Sequence, residues 1–294
     1  AASGVCHSDL HVVDGDWERP APVAMGHEGA GVVEAVGPGV GGRPGDPRVG
    51  DLVVLAWTAP CGSCPACRRG EPHLCAEPRG AGHRLSPADV RLRRPDGTPV
   101  GVYSGIGTFA THQVVAAEAA IPVDAALPPD QAALLGCAVT TGVGAVTRTA
   151  AVPPGASVVV VGLGGVGLSV VMGAALAGAS PILAVDRVAA KLDLARSLGA
   201  TDGVLAGDAG DAGATRDAIR ERLPGGADHA FEAIGLAATA ELAVEVVRPG
   251  GTVTLVGMTP QGVRAGIDVY AFVERGLRLL GSNYGSADPA RTFP

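Results

Sequence analysis

Ala156-Ser-Val-Val-Val-Val161, followed directly by Gly162-Leu-Gly164-Gly-Val-Gly167, is the stretch of this 294-residue sequence that decides the fold. The valine run is too short for a helix and predicts a buried strand of a parallel sheet. The glycines allow a tight turn and lead into a helix of small residues that ends near Gly178. A strand, a glycine turn and a helix in this order predict a dinucleotide-binding unit. The alternative interpretation is a turn that only packs a helix on a sheet.

The sequence beyond this stretch continues the same alternation of strands and helices. A second apolar strand over 181–185 ends at Asp186, whose carboxylate is placed to accept hydrogen bonds from a ribose and to repel a 2′-phosphate. We therefore expect NAD rather than NADP, although the adjacent Arg187 weakens that preference. Further helices are predicted over 188–198, 214–222 and 237–247, and further strands over 230–234, 252–257 and 277–280.

The first half of the chain has a different sequence pattern, in which Pro and Gly separate short apolar segments. Strands are predicted over 31–36, 51–56 and 109–116. This pattern is typical of an all-β barrel. The whole chain is therefore expected to be an α/β protein in which a β-barrel precedes a doubly wound parallel sheet.

Six cysteines divide into two sets, each with the spacing of a zinc site. Cys61-Gly-Ser-Cys64-Pro-Ala-Cys67, with Cys75 eight residues on, can surround a tetrahedral ion completely, as in structural zinc sites. Cys6 and Cys137 lie far apart, with Gly26-His27-Glu28-Gly29 between them. Two thiolates and one imidazole leave a fourth zinc position open for water or substrate, which is typical of a catalytic zinc.

Composition narrows the possible functions. Disulfides are disfavoured because the sequence shows no signal peptide and is long enough to build a core without covalent links. A net charge of −7 and a pI near 5.5 argue against a nucleic-acid-binding zinc ribbon. No apolar run is long enough to span a membrane, so a cytoplasmic location is expected. The chain starts without methionine and stops at Phe293-Pro294, so we expect missing segments at both ends.

In their order along the chain, these motifs resemble those of the zinc-containing medium-chain alcohol dehydrogenases. The match includes Gly26-His27-Glu28-x-x-Gly31, the four-cysteine lobe, Gly136-Cys137-Ala-Val-Thr-Thr141-Gly and the dinucleotide loop. It implies a GroES-like catalytic domain over 1–138, a Rossmann domain over 139–282 and the start of a return to the catalytic domain over 283–294. It also implies an NAD-dependent enzyme with two zinc ions, which transfers a hydride between a primary or secondary alcohol, or its aldehyde or ketone, and NAD.

The resemblance assigns roles to individual residues. Cys6, His27 and Cys137 resemble the ligands of the catalytic zinc, and Asp9 the carboxylate that orients the ligand imidazole. Ser8 and His11 resemble a proton relay, and Glu28 a carboxylate behind the metal that modulates its coordination. Cofactor contacts are implied at His7, Thr141, Gly162, Gly164, Gly167, Asp186, Arg187, Lys191 and Val256. The substrate pocket is implied at Trp17, Trp57 and Phe109.

Several of these residues also have a purely structural interpretation. Without the zinc motif, Ser8 would be read as a turn cap and His11 as a solvent-facing strand residue. Trp57 would ordinarily be a core residue, and Lys191 would lie on a solvated helix face.

The substrate and the assembly follow from the same resemblance. Trp57 near the zinc favours small or slender alcohols, whereas Arg79 matches an anion-binding arginine of the thiol-dependent formaldehyde dehydrogenase branch. An S-hydroxymethyl thiol adduct is therefore the alternative substrate, and a non-catalytic relative that keeps the fold is a second alternative. The partners expected are a small-molecule substrate and further copies of the chain, in a homodimer or homotetramer joined at the strand 277–280, with neither nucleic acid nor membrane.

Overall fold

The computed structural model of the chain describes residues 1–43, 45–79, 90–207 and 212–293. It divides into two compact units, one formed by Ala1–Thr140 with Ala287–Pro294 and the other by Thr141–Ser286. The domain bounds predicted from sequence, 138/139 and 282/283, lie slightly before these divisions. In the described part of the chain, no helix has the length and apolar character needed to cross a membrane.

Thirteen strands are assigned in the described residues, seven of them in the first unit. These seven are β1 (Ala2–Gly4), β2 (Val23–Ala24), β3 (Glu28–Val32), β4 (Leu52–Leu55), β5 (Leu92–Arg93), β6 (Pro99–Val102) and β7 (Ala120–Pro122). They form a four-stranded antiparallel sheet in the order β1-β3-β4-β7 and a three-stranded sheet in the order β2-β6-β5. These short strands match the GroES-like barrel expected from sequence.

The other six strands form one parallel sheet in the second unit. They are β8 (Val158–Val161), β9 (Ile182–Asp186), β10 (Asp202–Leu205), β11 (Ala227–Glu232), β12 (Val247–Leu255) and β13 (Arg278–Gly281). Their order is β10-β9-β8-β11-β12-β13, so the chain winds outward in both directions from β8. The four valines of β8 are buried because helices cover both faces of the sheet. The predicted doubly wound Rossmann fold is therefore confirmed.

Ten α-helices are assigned within the described residues. They are α1 (His7–Val13), α2 (Pro65–Arg68), α3 (Pro129–Leu134), α4 (Thr140–Gly144), α5 (Gly165–Leu176), α6 (Ala189–Ser197), α7 (Ala212–Arg222), α8 (Ala237–Val246), α9 (Val269–Glu274) and α10 (Pro289–Thr292). A π-type turn, Leu135–Val139, joins α3 to α4. In the first unit, Phe293 packs on a cluster of Ala30, Val54 and two alanines of α3, so the last residues of the chain belong to this core.

Two strand predictions in the first unit were wrong. Residues 109–112 form bends and 113–116 have no regular structure. Their backbone is held by isolated hydrogen bonds: the Phe109 N–H donates to Met25 O at 2.9 Å, and Arg91 Nη1 donates to Val114 O at 2.7 Å. The predicted strand 31–36 is shifted, because β3 starts at Glu28 and residues 34–36 are exposed. Apolar alternation alone misplaced both strands because it contains no information about the pairing partner.

Candidate metal and dinucleotide sites

The catalytic-zinc candidates are assembled by a short helix and the residues before β3. Cys6 lies in extended conformation immediately before α1, and Asp9 is in the first turn of that helix. One Asp9 oxygen accepts the backbone N–H of Cys6 at 3.2 Å. The other accepts Gly26 N–H at 3.0 Å and lies 3.2 Å from His27 Nδ1. Asp9 thus connects the two segments that carry Cys6 and His27, and it leaves Nε2 of the imidazole as the nitrogen available to a metal.

Gly26 is required by the close packing of this segment. Its φ is +92°, and a Cβ there would lie 2.5 Å from Thr108 Oγ1 and 2.6 Å from the ring of Phe109. A larger residue would therefore displace His27, which follows it.

Four donor side chains converge at this position. Cys6, His27, Glu28 and Cys137 each offer a ligand atom, and these atoms all lie within 4.8 Å of one another. Cys137 comes from the π-type turn after α3, and all four side chains are buried or half-buried. Ligands around a tetrahedral zinc are separated by about 4 Å, so two thiols, an imidazole and a carboxyl oxygen at this spacing fit the ion.

The protonation of these groups shows how strongly they interact. A hydrogen bond from Cys137, supported by His27, lowers the pKa of Cys6 to about 4. The same bond raises the pKa of Cys137 well above its usual value. Burial alone would lower the pKa of His27, but its hydrogen bonds with Asp9 and Cys6 outweigh burial and raise the pKa to about 9. Burial raises the pKa of Glu28 to about 7. The cluster shares protons that a divalent cation would replace.

The second cysteine set forms a compact lobe between β4 and β5. The sulfur atoms of Cys61, Cys64, Cys67 and Cys75 lie within 4.8 Å of one another. The backbone N–H of Cys64 donates to the Cys61 sulfur at 3.3 Å, and that of Cys61 to the Cys75 sulfur at 3.3 Å. Backbone N–H groups of Ser63 and Cys64 lower the pKa of Cys61 to about 6. Four sulfurs at this spacing, with backbone N–H groups donating to those of Cys61 and Cys75, fit a ligand-saturated zinc site.

The dinucleotide loop lies between β8 and α5. Gly162 has a φ of +94°, and a Cβ on it would lie 2.3 Å from the Ile234 side chain. A Cβ on Gly167 would lie 1.7 Å from the carbonyl oxygen of Gly162. Gly164, at the N-cap of α5, has open space at the same position. The first and third glycines therefore keep the loop compact, and the second leaves room for a ligand at the helix N-terminus.

Asp186 lies beside this loop at the end of β9. Its oxygens accept the backbone N–H groups of Leu163 at 2.8 Å and Val188 at 3.0 Å. The Lys191 amine lies 3.5 Å from the same carboxylate, so the structure gives this lysine a partner that the sequence interpretation did not include. The neighbouring Arg187 is exposed. The remaining cofactor candidates of this unit, Thr141 and Val256, are both buried.

The relay candidates lie on α1. Ser8 is half-buried, whereas His11 is only 6% exposed, so the solvent-facing strand interpretation of His11 was wrong. The His11 ring has Asp16 at 2.7 Å from Nδ1 and stacks on Trp17 with ring centroids 4.6 Å apart. His7 is exposed, and its ring meets His11 edge-on at 4.7 Å.

The pocket candidates have different surroundings, and one aromatic residue near the metal candidates was missed. Trp17 is buried, Trp57 packs partly buried on a cluster that includes Ile106, and Phe109 is 46% exposed. Tyr103 was not predicted. Its ring is edge-on to His27 at 5.5 Å, its hydroxyl lies 3.5 Å from Ser8 O, and burial raises its pKa to about 12. The sequence signal that could have pointed to Tyr103 is its aromatic side chain, because aromatic residues make up only 3% of the chain.

Comparisons with known proteins show which family this chain resembles. The model of the alcohol dehydrogenase GroES-like domain matches residues 1–125, and that of the zinc-binding dehydrogenase matches residues 165–294. An S-(hydroxymethyl)glutathione dehydrogenase of Escherichia coli is 40% identical over 295 aligned positions, which cover 99% of this chain and 78% of that protein.

Two solved structures are also similar. An alcohol dehydrogenase zinc-binding domain protein from Burkholderia ambifaria has a TM-score of 0.88 at 36% identity, over 99% of this chain and 77% of that one. Benzyl alcohol dehydrogenase from Acinetobacter calcoaceticus has a TM-score of 0.85 at 32% identity, over 99% of this chain and 81% of that one.

Proposed function

Because the chain belongs to the zinc-binding, GroES-like alcohol dehydrogenase family, we propose that it oxidises small or slender alcohols with NAD, or reduces the corresponding aldehydes and ketones. The observation that carries this proposal is the convergence of Cys6, His27 and Cys137, with Glu28 beside them, within 4.8 Å. Two thiols and one imidazole give a zinc ion an open position for an alcohol oxygen.

In this proposal each cysteine set holds one zinc ion. Cys6, His27 and Cys137 hold the catalytic ion, and the four cysteines between 61 and 75 hold the structural one. A catalytic zinc supplies Lewis acidity, which lowers the pKa of the bound substrate hydroxyl. Asp9 orients the His27 imidazole, and the buried Glu28 adds a carboxyl group behind the ligands. Both sites need reduced thiolates, which supports a cytoplasmic location.

The chain's own groups accept the proton and position the cofactor. Ser8 is proposed to receive the proton of the substrate hydroxyl and His11 to deliver it to solvent. The amides at the N-terminus of α5 bind the pyrophosphate, with Gly164 giving it room. Asp186 selects the ribose without a 2′-phosphate. Contacts to the rest of the cofactor are proposed for His7, Thr141, Arg187, Lys191 and Val256.

A second candidate function is supported by a relative. The Escherichia coli protein at 40% identity is an S-(hydroxymethyl)glutathione dehydrogenase, and Arg79 is a candidate contact for an anionic thiol adduct. Arg79 Nε lies 3.3 Å from a Glu118 oxygen, but the two side chains are 58% and 35% exposed, so this surface ion pair can be exchanged for a substrate carboxylate. The ion pair therefore does not separate the two candidates, and the preference for uncharged alcohols rests on Trp57 as a proposed pocket residue that favours slender substrates. Trp17, Trp57 and Phe109 remain the proposed pocket residues.

The test combines metal analysis with steady-state kinetics. We expect two zinc ions per chain and NADH formation from simple primary or secondary alcohols, with a higher kcat/KM than for formaldehyde plus glutathione. A higher kcat/KM with the glutathione adduct would favour the second candidate. Two bound zinc ions without turnover of either substrate, in a folded protein, would support the non-catalytic alternative.

A homodimer is also proposed. In the described part of the chain β13 has one strand neighbour, β12, so it forms an edge of the parallel sheet. The preceding helix α9 exposes Val269, Tyr270 and Val273, each more than 70% accessible. An exposed edge strand next to exposed apolar side chains favours pairing with a second copy.

A further inference from the structure

We propose that Asp16 is a positioning residue for His11, whose carboxylate fixes the imidazole tautomer that accepts the proton released by the substrate hydroxyl. The inference rests on the proposed function, because it requires an alcohol that loses a proton. It adds a residue outside the metal ligands and outside the Ser8–His11 pair.

The geometry around the His11 ring restricts its orientation. Nδ1 lies 2.7 Å from Asp16 Oδ2, and the ring stacks on Trp17 with an interplanar angle of 26°. The backbone N–H of Trp17 also donates to His11 O at 3.0 Å, so the turn that carries Asp16 is tied to α1. The His11 side chain is 8% exposed and that of Asp16 is 36% exposed. A flip of the ring would break the Asp16 bond inside a nearly closed environment.

This contact determines which nitrogen carries the hydrogen. An ionised carboxylate can only accept, so Nδ1 of His11 must be the donor. In the neutral ring Nε2 then has the lone pair and can accept a proton. Asp16 would also stabilise the positive charge of the ring once Nε2 is protonated.

The proton balance is complete with these groups. Ser8 and His11 are three residues apart on α1, which places them on neighbouring turns of one helix face. The substrate hydroxyl gives its proton to the relay that starts at Ser8, and Nε2 of His11 receives it. His11 then releases the Nε2 proton to water, while the Nδ1 proton stays with Asp16. Each protein group thereby returns to its original protonation state, and NAD would accept the hydride that the substrate carbon loses.

Two other acidic residues, Asp9 and Asp14, lie on or next to α1, but each has different surroundings from Asp16. Asp9 is on the same helix, but its oxygens accept N–H groups of Cys6 and Gly26 and contact His27. Asp14 is exposed at the end of α1. Asp14→Asn is therefore a matched control for Asp16→Asn, since both change a carboxylate to an amide in one short segment.

The experiment measures turnover and tautomer separately. Asp16→Asn should lower kcat/KM for alcohol oxidation about tenfold, since an amide can pair with either tautomer and compensates no charge. The KM for NAD and the zinc content should not change, and the solvent deuterium isotope effect should increase. Asp16→Glu should restore part of the loss, and Asp14→Asn should behave as the parent protein.

Nitrogen-15 NMR of the histidine side chains, with His11 assigned by a His11→Gln variant, reports the tautomer without turnover. We expect the hydrogen on Nδ1 of His11 in the parent protein and a mixture of tautomers in Asp16→Asn. A hydrogen on Nε2 in the parent, or an Asp16→Asn variant with unchanged kcat/KM and isotope effect, would overturn the proposal. A protein with the expected tautomer that oxidises no alcohol would contradict the proposed function alone. If Asp16→Asn does not fold, the tautomer in the parent and in Asp16→Glu still decides.

Discussion

Cys6 and Cys61 have the same side chain, but they belong to sites with different expected consequences of substitution. Cys61→Ser removes a ligand of the four-cysteine lobe, so it should lower the zinc content from two ions to one and lower the melting temperature markedly. Cys6→Ser should lower kcat by about a hundredfold or more, with a nearly unchanged melting temperature. Elemental analysis, thermal unfolding and kinetics decide between these effects. Equal losses of stability in both variants would contradict the assignment of Cys61 to a structural site and Cys6 to a catalytic site.

Asp186 is the residue from which NAD preference is predicted. Asp186→Asn keeps a side-chain oxygen that can accept a hydrogen bond from Leu163 N–H or Val188 N–H, and it removes the negative charge that repels a 2′-phosphate. The ratio of kcat/KM for NADP to that for NAD should therefore increase about tenfold, equivalent to roughly 1.4 kcal/mol. Steady-state rates with both cofactors measure this ratio. A parent protein that already prefers NADP would show that the exposed Arg187 dominates.

At the scale of elements, the turn from β8 to α5 offers two glycines with opposite environments. Gly167→Ala places a Cβ against the Gly162 carbonyl and should lower the free energy of unfolding by roughly 2–4 kcal/mol. Gly164→Ala meets open space in a conformation that alanine adopts, so stability should not change. The KM for NAD should increase instead, because the methyl group occupies the approach of the pyrophosphate. Chemical denaturation measures the stability of each variant, and NAD titration measures its affinity for the cofactor. A loss of stability in Gly164→Ala would contradict the predicted difference between the two glycines.

The junction of β8, β11 and β12 is held by Asp228. Burial raises the pKa of this carboxyl, but hydrogen bonds from the Ser157 hydroxyl and N–H, together with Arg248, outweigh it and lower the pKa to about 2. A lowered pKa stabilises the fold above pH 4, and this contribution disappears as the pH falls towards 2. Asp228→Asn should therefore cost about 1–2 kcal/mol at pH 7 and progressively less in acid. Urea unfolding at several pH values tests this, and a pH-independent difference would contradict it.

The same elements show why part of the molecule could be predicted from sequence. The order strand, glycine turn, helix and acid predicts β8, α5, β9 and Asp186 because each signal is local and both faces of β8 are buried. Tyr103 could not be predicted near His27. It follows β6, which pairs with β2, and β2 lies shortly before His27, so only the register of two short strands brings the residues together. The strand over 109–116 was predicted wrongly for the same reason, because the local sequence does not identify a pairing partner.

At the scale of the whole molecule, the prediction concerns assembly. Val273→Glu adds a charge to the exposed apolar face of α9 next to the edge strand β13, so it should shift a dimer towards monomer at micromolar concentration. Val114→Glu makes the same change at an exposed position of the other unit and should leave the mass unchanged. Light scattering measures the molar mass of both variants and of the parent protein. A parent protein that is monomeric at this concentration would refute the pairing, whereas a tetramer would leave it standing.

Lys191 is the only lysine in the chain, and its amine lies 3.5 Å from the carboxylate proposed to hold the ribose. Amine-selective reagents such as fluorescent esters therefore have one side-chain target, at the edge of the dinucleotide loop. Labelling at this position should slow when NAD is bound, because the cofactor shields the amine. Lys191 is thus a chemical reporter of cofactor occupancy, which peptide mapping distinguishes from labelling of the N-terminal amine, and attaching a fluorophore to it requires no engineered cysteine.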